Sequence, residues 1–586
     1  MLPSPSSASP PPRGGFSLAL LTRNLFGRLS RWWHLCLVLI VILWLSGSAF
    51  TPRRYRIQFF KSSRPAGGPR PPPVRLPAEG DLWAGRAHDV RKAFMHAYKG
   101  YQAHALPSDE LRPMTGEQIN NFHGWGVTMY DSLDTMWLMG LEDMFYDTVQ
   151  DVAKATFSMA PGEHAHFFEV VIRYLGGLLS AYALSEDPRL LKLADDLGEK
   201  LLPAFDTPSG FPVYGVNTAT GETIHGARDG EMVCLAEVFS NQMEFKYLAH
   251  ITGKSKYYKA TERPMRAVYG TENTMHDGLL ATMWDVNTGK PNQTHFSASG
   301  RADSAYEYFL KQWLMTGQKV SKARDLYIRS ANAILEHLLY VGPHRELLYV
   351  TDLKDGAPTH HFEHLACFLP GLLALGVHTP ALGLTAGERE RHTWAAHGLA
   401  NLCAVVYSDT VTGLSPDNFV VDRWAEVERG LWASRVDVWE RAGRVGPPPG
   451  TADLPREAAT EARGYSPVTD AYLLRPEAVE TFYIMWRTTG DVKWRERGWA
   501  VFVSLETYSR VKYGYTSIRY LDERRPYRFD DMPSWFLAET LKYLFLLFTD
   551  EELVPLDKWV FNTEAHPLPV FEWSQEEIQE FDIDVA

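Results

Sequence analysis

Helical periodicity dominates this chain, and the way it recurs restricts the fold more than any other feature. Apolar residues return at three- and four-residue intervals through most of the sequence, while the two-residue alternation of a half-buried strand is almost absent. A unit also repeats: an apolar helical stretch, a short turn with Gly or Asp, then a second helical stretch. It occurs in LGGLLSAYALSEDPRLLKLADDL (175–197), FKYLAHITGKSKYYKAT (245–261), YFLKQWLMTGQKVSKARDLY (308–327) and FYIMWRTTGDVKWRERGWAV (482–501). Spacings of roughly 60–70 residues between most of these turns predict helical hairpins, each burying a face on its neighbours. Such a series ends either as an open α-solenoid or as a closed toroid. Residues 443–468, GRVGPPPGTADLPREAATEARGYSPV, read as a long polar loop interrupting it. A length of 586 residues allows up to about four domains, but the series predicts one large all-α domain.

The N-terminal end is different. Residues 1–70 hold ten Lys and Arg and no acid, whereas the rest carries 49 basic against 71 acidic residues, a charge of −22 within a whole-chain −12. An acidic body cannot neutralise phosphates, so no nucleic-acid partner is expected. Hydrophobic residues at 45% and charged residues at 22% exclude collagen-like, mucin-like and disordered classes. Trp32–Phe50, WWHLCLVLIVILWLSGSAF, is nineteen residues without a charge, about the length that crosses a bilayer. It reads as a transmembrane signal-anchor, with a cleavable signal peptide ending near Ser46–Ser48 as the alternative; the 31-residue leader is long for a signal n-region. Basic residues flank both sides of it, so they give almost no orientation. An Asn-Gln-Thr sequon at Asn292 favours a lumenal body. Six prolines within 62–78, with Gly67 and Gly68, mark an extended stem. The expected order is a cytoplasmic tail (1–31), signal-anchor (32–50), Pro-rich stem (51–84), helical body (85–572) and acidic C-terminal tail (573–586). Cys36 falls in the membrane segment, leaving Cys234, Cys367 and Cys403, enough for one disulfide and one free thiol.

Several acids sit where an amphipathic helix would not place them. Glu169 lies among Phe167, Phe168, Val170 and Val171 with Arg173 one turn on; this is either a buried ion pair or a proton donor whose pKa burial raises and Arg173 lowers. Arg301, Asp303 and Glu307 follow Gly300 and open a helix, where Ser304 and Glu307 also fit a capping box. In LLRPEAVETFY, Pro476 suits the first helical position, which puts Glu477 in the first turn; the helix dipole and Arg475 keep it ionised, as a general base requires, with Glu480 one turn later. Glu237 in CLAEVFSNQMEF and Glu539 in WFLAETLKYLFLLF are also in apolar company, and a buried Glu539 needs a cation, a metal or bound water. Thr563 and Glu564 follow in VFNTEAHPLPVF, where a Thr can offer both its hydroxyl and its carbonyl oxygen to a hard cation. His360, His361, Glu363 and His364 are read as structural rather than as a transition-metal site.

Together these residues resemble the class I α-1,2-mannosidases, glycoside hydrolase family 47. The match consists of Glu169 with Arg173, Arg301-Ala-Asp303 with Glu307, Arg475-Pro-Glu477 with Glu480, Glu539, and Phe561-Asn-Thr563-Glu564-Ala-His566-Pro567, together with WGVTMYDSLDTMWLMGL at 125–141. It runs in order from about residue 85 to 570. The resemblance implies an (α/α)7 barrel and calcium-dependent, inverting removal of α-1,2-linked mannose from high-mannose N-glycans. It further implies Glu169 as general acid, Glu477 as general base, Asp303 as a third essential carboxylate, and Thr563 as the Ca²⁺ ligand. Glu237, Glu307, Glu480, Glu539 and Glu564 would then hold its waters or line the sugar site, and Arg173, Arg301, Arg475, Trp535, Phe536 and His364 would contact the glycan. A Cys367–Cys403 disulfide, the trimming of Man9GlcNAc2 to Man8GlcNAc2 suggested by Arg301, and a type II membrane protein of the endoplasmic reticulum or Golgi complete the expectation. Ala305, Trp535 and the long 443–468 loop depart from the family pattern and bear on branch preference. The alternative is a non-catalytic or weakly active mannose-glycan-binding protein of ER-associated degradation.

Overall fold

The structure, a computed structural model, describes residues 82–226, 230–270, 272–273 and 278–585. The expected tail, signal-anchor and nearly all of the stem lie outside the described residues.

The main helices fall into two kinds that alternate along the chain. In order they are α1 (Leu82–His104), α2 (Val127–Leu138), α3 (Glu142–Val152), α4 (Gly176–Ser185), α5 (Pro188–Leu201), α6 (Gln242–Thr252) and α7 (Ser255–Tyr269). There follow α8 (Asp303–Met315), α9 (Ser321–His337), α10 (Leu369–His378), α11 (Ala386–Asp409), α12 (Glu477–Thr489), α13 (Lys493–Ser504) and α14 (Leu541–Phe548). The odd helices bury one stripe; α5, for example, buries Leu190, Leu193, Ala194, Leu197 and Leu201. The even ones are buried nearly all round, α8 from Ser304 to Met315 and α14 along its whole length. A helix apolar on every side must be enclosed by others, so the even set forms the inner layer.

Hairpin contacts join α2 to α3, α4 to α5, α6 to α7, α8 to α9, α10 to α11 and α12 to α13, while α1 packs on α14 and so brings the two ends together. The even helices touch in sequence from α2 to α14, and a π-helical turn leading into α14, Phe536–Thr540, returns to α2. The contacts close on themselves, which settles the solenoid-or-toroid alternative in favour of a helical barrel. Left-handed glycines end two inner helices, Gly253 (φ 69°) after α6 and Gly490 (φ 71°) after α12, at the turns that the sequence marks.

A C-terminal hairpin plugs the ring: Trp559–Phe561 pairs antiparallel with Pro567–Pro569 and packs on α8 and α4. The hairpin comes close because α4 begins with glycine, where a Cβ on Gly176 would stand 2.6 Å from Asn562 Nδ2. Strands elsewhere are short pieces in two- and three-stranded sheets. Cys367, just before α10, is bonded to Cys403 within α11, and Cys234 is the free thiol. Among the described residues Phe167–Ser185 is long and apolar enough to cross a membrane, yet 83% of it is buried in the ring.

The 443–468 loop and the C-terminal segment are both tied to the body. Arg463 ties down the 443–468 region, donating from Nη2 to Asp409 O at 2.7 Å and to Asp522 Oδ1 at 2.8 Å. The acidic C-terminal segment is no free tail: Gln575–Phe581 is a helix whose Phe581 is buried against Trp573 and Tyr258, and Glu577 meets His250 at 2.7 Å.

Candidate active site

Acids converge where the inner helices begin. Asp303 opens α8, Glu477 opens α12, Glu169 precedes α4, and Glu539 lies in the π-helical turn before α14. A π-helical turn, Val170–Leu175, also separates Glu169 from α4, and such widened turns re-aim side chains at functional sites. The tip of the C-terminal hairpin supplies Thr563 and Glu564. All of these line one cavity of about 410 Å³ with Arg173, Glu237, Arg301, Glu307, Arg475, Glu480 and Trp535. Eight carboxyl groups (Glu169, Glu237, Asp303, Glu307, Glu477, Glu480, Glu539, Glu564) thus face three guanidiniums (Arg173, Arg301, Arg475) in one largely buried space.

Each acid has its own environment. Glu169 accepts from Arg173 Nε at 2.8 Å, and the same guanidinium bonds Glu564 through Nη1. Arg173 lies 5.6 Å from the Trp535 ring and Arg475 lies 5.7 Å from it, so both guanidiniums are within cation–π range of the indole. Glu237 accepts from Cys234 N–H at 2.9 Å and pairs with His166 at 3.1 Å; burial pushes its pKa up, but these partners outweigh it and hold it below the ordinary value. Glu307 pairs with Lys311, which also stands 3.6 Å from Glu480. Burial and neighbouring acids raise Glu480 despite that lysine. Glu539, 6% exposed, accepts no hydrogen bond among the described residues, and burial together with Glu564, Glu477 and Glu480 drives its pKa well up.

Asp303 and Glu477 are pushed apart. Asp303 accepts from Ser304 N–H at 2.9 Å, but burial, helped by Glu307, Glu363 and Glu477, raises it to about 7. Glu477 is equally buried yet lowered, because His364 Nδ1 lies 2.8 Å from Oε2 and Arg475 Nη1 lies 3.9 Å from Oε1. Two carboxyl groups in one pocket, one protonated near neutrality and one ionised, are the pair that acid–base chemistry needs.

A family model for glycosyl hydrolase family 47 matches residues 93–570. This chain belongs to glycosyl hydrolase family 47. It is 38% identical over 495 residues to the rat endoplasmic reticulum mannosyl-oligosaccharide 1,2-alpha-mannosidase, covering 83% of this chain and 68% of the relative. It is 35% identical over 491 residues to the Drosophila melanogaster mannosyl-oligosaccharide alpha-1,2-mannosidase IA, covering 83% of this chain and 67% of the relative. Among solved structures, the alpha-1,2-mannosidase from Trichoderma reesei superposes with a TM-score of 0.72 at 28% identity, over 83% of this chain and 99% of that one. The protein is therefore a glycoside hydrolase with a helical-barrel body.

Two residues expected to touch glycan stand away from this family 47 cavity. Phe536 is fully buried, packed against Tyr515. His364, 1% exposed, sits behind Glu477, with Nε2 2.7 Å from the Tyr407 hydroxyl. Its neighbours also go elsewhere: His360 bonds the Tyr349 hydroxyl, and Glu363 accepts from Ser299 and Gly300. Sequence reasoning missed the layer beneath the site. Asp417 accepts from Arg475 Nε at 2.6 Å, and a wholly buried group of Asp131, Asp134, Lys542 and His566 holds the hairpin. Lys542 Nζ donates to Ala565 O at 2.6 Å, and His566 Nδ1 lies 2.8 Å from Asp134. The signal was present in TMYDSLDTMWL and LKYLFLLF, where Asp131, Asp134 and Lys542 interrupt largely apolar runs.

Proposed function

We propose that this family 47 hydrolase removes α-1,2-linked mannose from high-mannose N-glycans, trimming Man9GlcNAc2 to Man8GlcNAc2 by inversion with a bound calcium ion, on an (α/α)7 barrel. The observation that carries the reading is the divergence of Asp303 and Glu477 within one acid-rich cavity. In this mechanism Glu477, kept ionised by His364 and Arg475, takes the proton of a water that attacks the anomeric carbon from the face opposite the leaving oxygen. Glu169 and Asp303 form the acid side. Asp303 holds a proton near neutrality, and Glu169 is the donor implied by the family resemblance; the glycosidic oxygen receives the proton as its bond breaks. The products are β-mannose and a glycan shorter by one sugar. Arg173, Arg475 and Trp535 shape the sugar site, and Arg301 stands at its exposed rim.

The donor set fits a hard cation. Eight acids face three guanidiniums, Glu539 accepts no hydrogen bond among the described residues, and Thr563 at the hairpin tip has a hydroxyl and a carbonyl to offer. We place such an ion at the Thr563 oxygens and bound water, with Glu307, Glu480, Glu539 and Glu564 around it; among the described residues no three His, Cys, Asp or Glu side chains form a metal cluster of their own. Bound there, Ca²⁺ would supply positive charge and oxygen coordination that orient sugar hydroxyls. We read the chain as a type II protein of the endoplasmic reticulum or Golgi with its body lumenal, a reading that the Asn292 sequon and an endoplasmic-reticulum relative favour. A purely glycan-binding role would leave the Asp303 and Glu477 divergence without use. Incubation with Man9GlcNAc2 should yield Man8GlcNAc2, stop with EDTA and resume with added calcium; release of mannose that EDTA leaves untouched would contradict the proposal.

A further inference from the structure

We propose that Asn292 carries an N-linked glycan whose first sugars lie in an outer cavity and compete there with an arm of the entering substrate. This second cavity, of about 900 Å³, is lined by Asn292, Gln293, His295, Lys354 and Asp355, and it shares Arg301 with the carboxylate cavity. Whatever fills it therefore borders the entrance to the site. Asn292 is exposed in the turn between the strand pieces Lys290–Pro291 and His295–Phe296, its Nδ2 resting 3.0 Å from Met232 Sδ. Thr294 completes the acceptor sequence and is held by donating to Asp355 Oδ1 at 2.7 Å. The lining offers both charges and several amide groups, which suits sugar hydroxyls better than an apolar ligand.

Attachment is a substitution with a lipid-pyrophosphate-linked oligosaccharide as the donor. Asn292 Nδ2 bonds to the anomeric carbon of the first sugar, the bond from that carbon to the pyrophosphate oxygen breaks, the pyrophosphate leaves with the electron pair, and Nδ2 gives up one proton. The proposal rests on the lumenal placement of the body given above. A glycan tethered at the cavity wall has an effective concentration on the order of millimolar. Set against a roughly millimolar affinity for a contact of a few sugars, it fills the cavity about half the time and raises the KM of a substrate passing Arg301 about twofold. A disaccharide that reaches only the inner cavity does not feel it.

The test uses the full chain made in a eukaryotic secretory system, with Asn292→Gln and Thr294→Val, which remove the acceptor, and Thr294→Ser, which keeps both the acceptor and the hydroxyl. Mass spectrometry before and after amidase treatment should show one glycan at Asn292 in the parent and in Thr294→Ser, and none there in the other two. The KM for Man9GlcNAc2 should fall about twofold in both acceptor-less variants, with kcat and the KM for mannosyl-α-1,2-mannose unchanged. A body shielded from protease in sealed microsomes but bare at Asn292 would overturn the proposal, as would a glycosylated parent whose KM equals that of Asn292→Gln. A body open to protease would instead overturn the lumenal placement, and this proposal with it.

Discussion

Replacing Lys542 by Met tests whether buried charge holds the hairpin that carries Thr563. Lys542 and Asp134 are both 0% exposed, 2.8 Å apart, and Lys542 also donates to Ala565 O in the hairpin turn. At an effective dielectric constant of about 20 such a pair gains roughly 6 kcal/mol of Coulomb energy, much of it offset by desolvation. Removing the cation leaves Asp134 buried, and breaking such a pair costs about 3–5 kcal/mol. His566, 2.8 Å from Asp134 Oδ2, and Ser180, also at 2.8 Å, still compensate in part, which places the expected loss near the lower end, about 3 kcal/mol. With an unfolding entropy of about 1 kcal/mol/K for a body of roughly 500 residues, that is a fall in Tm of about 3 °C. Urea unfolding followed by the fluorescence of the tryptophans, 18 in the chain, reads it directly. Adding Asp134→Asn should recover half or more of the loss, because the orphaned charge is gone. A loss under about 1 kcal/mol, or a double variant as unstable as the sum of the two single ones, would refute the reasoning.

Three further outcomes follow. Glu477→Gln should lower kcat by at least about 10²-fold while leaving Man9GlcNAc2 binding within about twofold by calorimetry, since the amide keeps the shape and loses the base. The profile of kcat/KM against pH should fall on the alkaline side near 7: Asp303 is raised to about 7, so its proton is present below that pH and lost above it, and Asp303→Asn should abolish that limb along with most activity. Cys367→Ala with Cys403→Ala should lower stability by about 4 kcal/mol, from the loop entropy of a bond spanning 36 residues, and denaturant unfolding measures it.

The sequence carried the inner helices because they leave a local mark: an enclosed helix is apolar on all sides, and a buried acid in such a run, as Glu539 in LAETLKYLFLLF, stands out by its energetic cost. Partnerships were not local. Asp134 and His566 are 432 positions apart, His364 and Glu477 are 113 apart, and Arg475 and Asp417 are 58 apart, so each pairing appears only once the ring closes. That is why His364 read as a glycan contact when it lies behind Glu477. The C-terminal segment read as a tail for a related reason: its charge is local and visible, whereas the pocket formed for Phe581 by Trp573 and Tyr258 draws on distant chain.

The central claim is that Glu477 and the Glu169–Asp303 side act on opposite faces of the sugar, and the configuration of the released mannose tests it most directly. Proton NMR begun at once on mixing the protein, calcium and Man9GlcNAc2, before mutarotation, should show the β anomer of mannose appearing first, with the α anomer growing only later. First release of α-mannose, or no mannose with calcium present, would contradict the account.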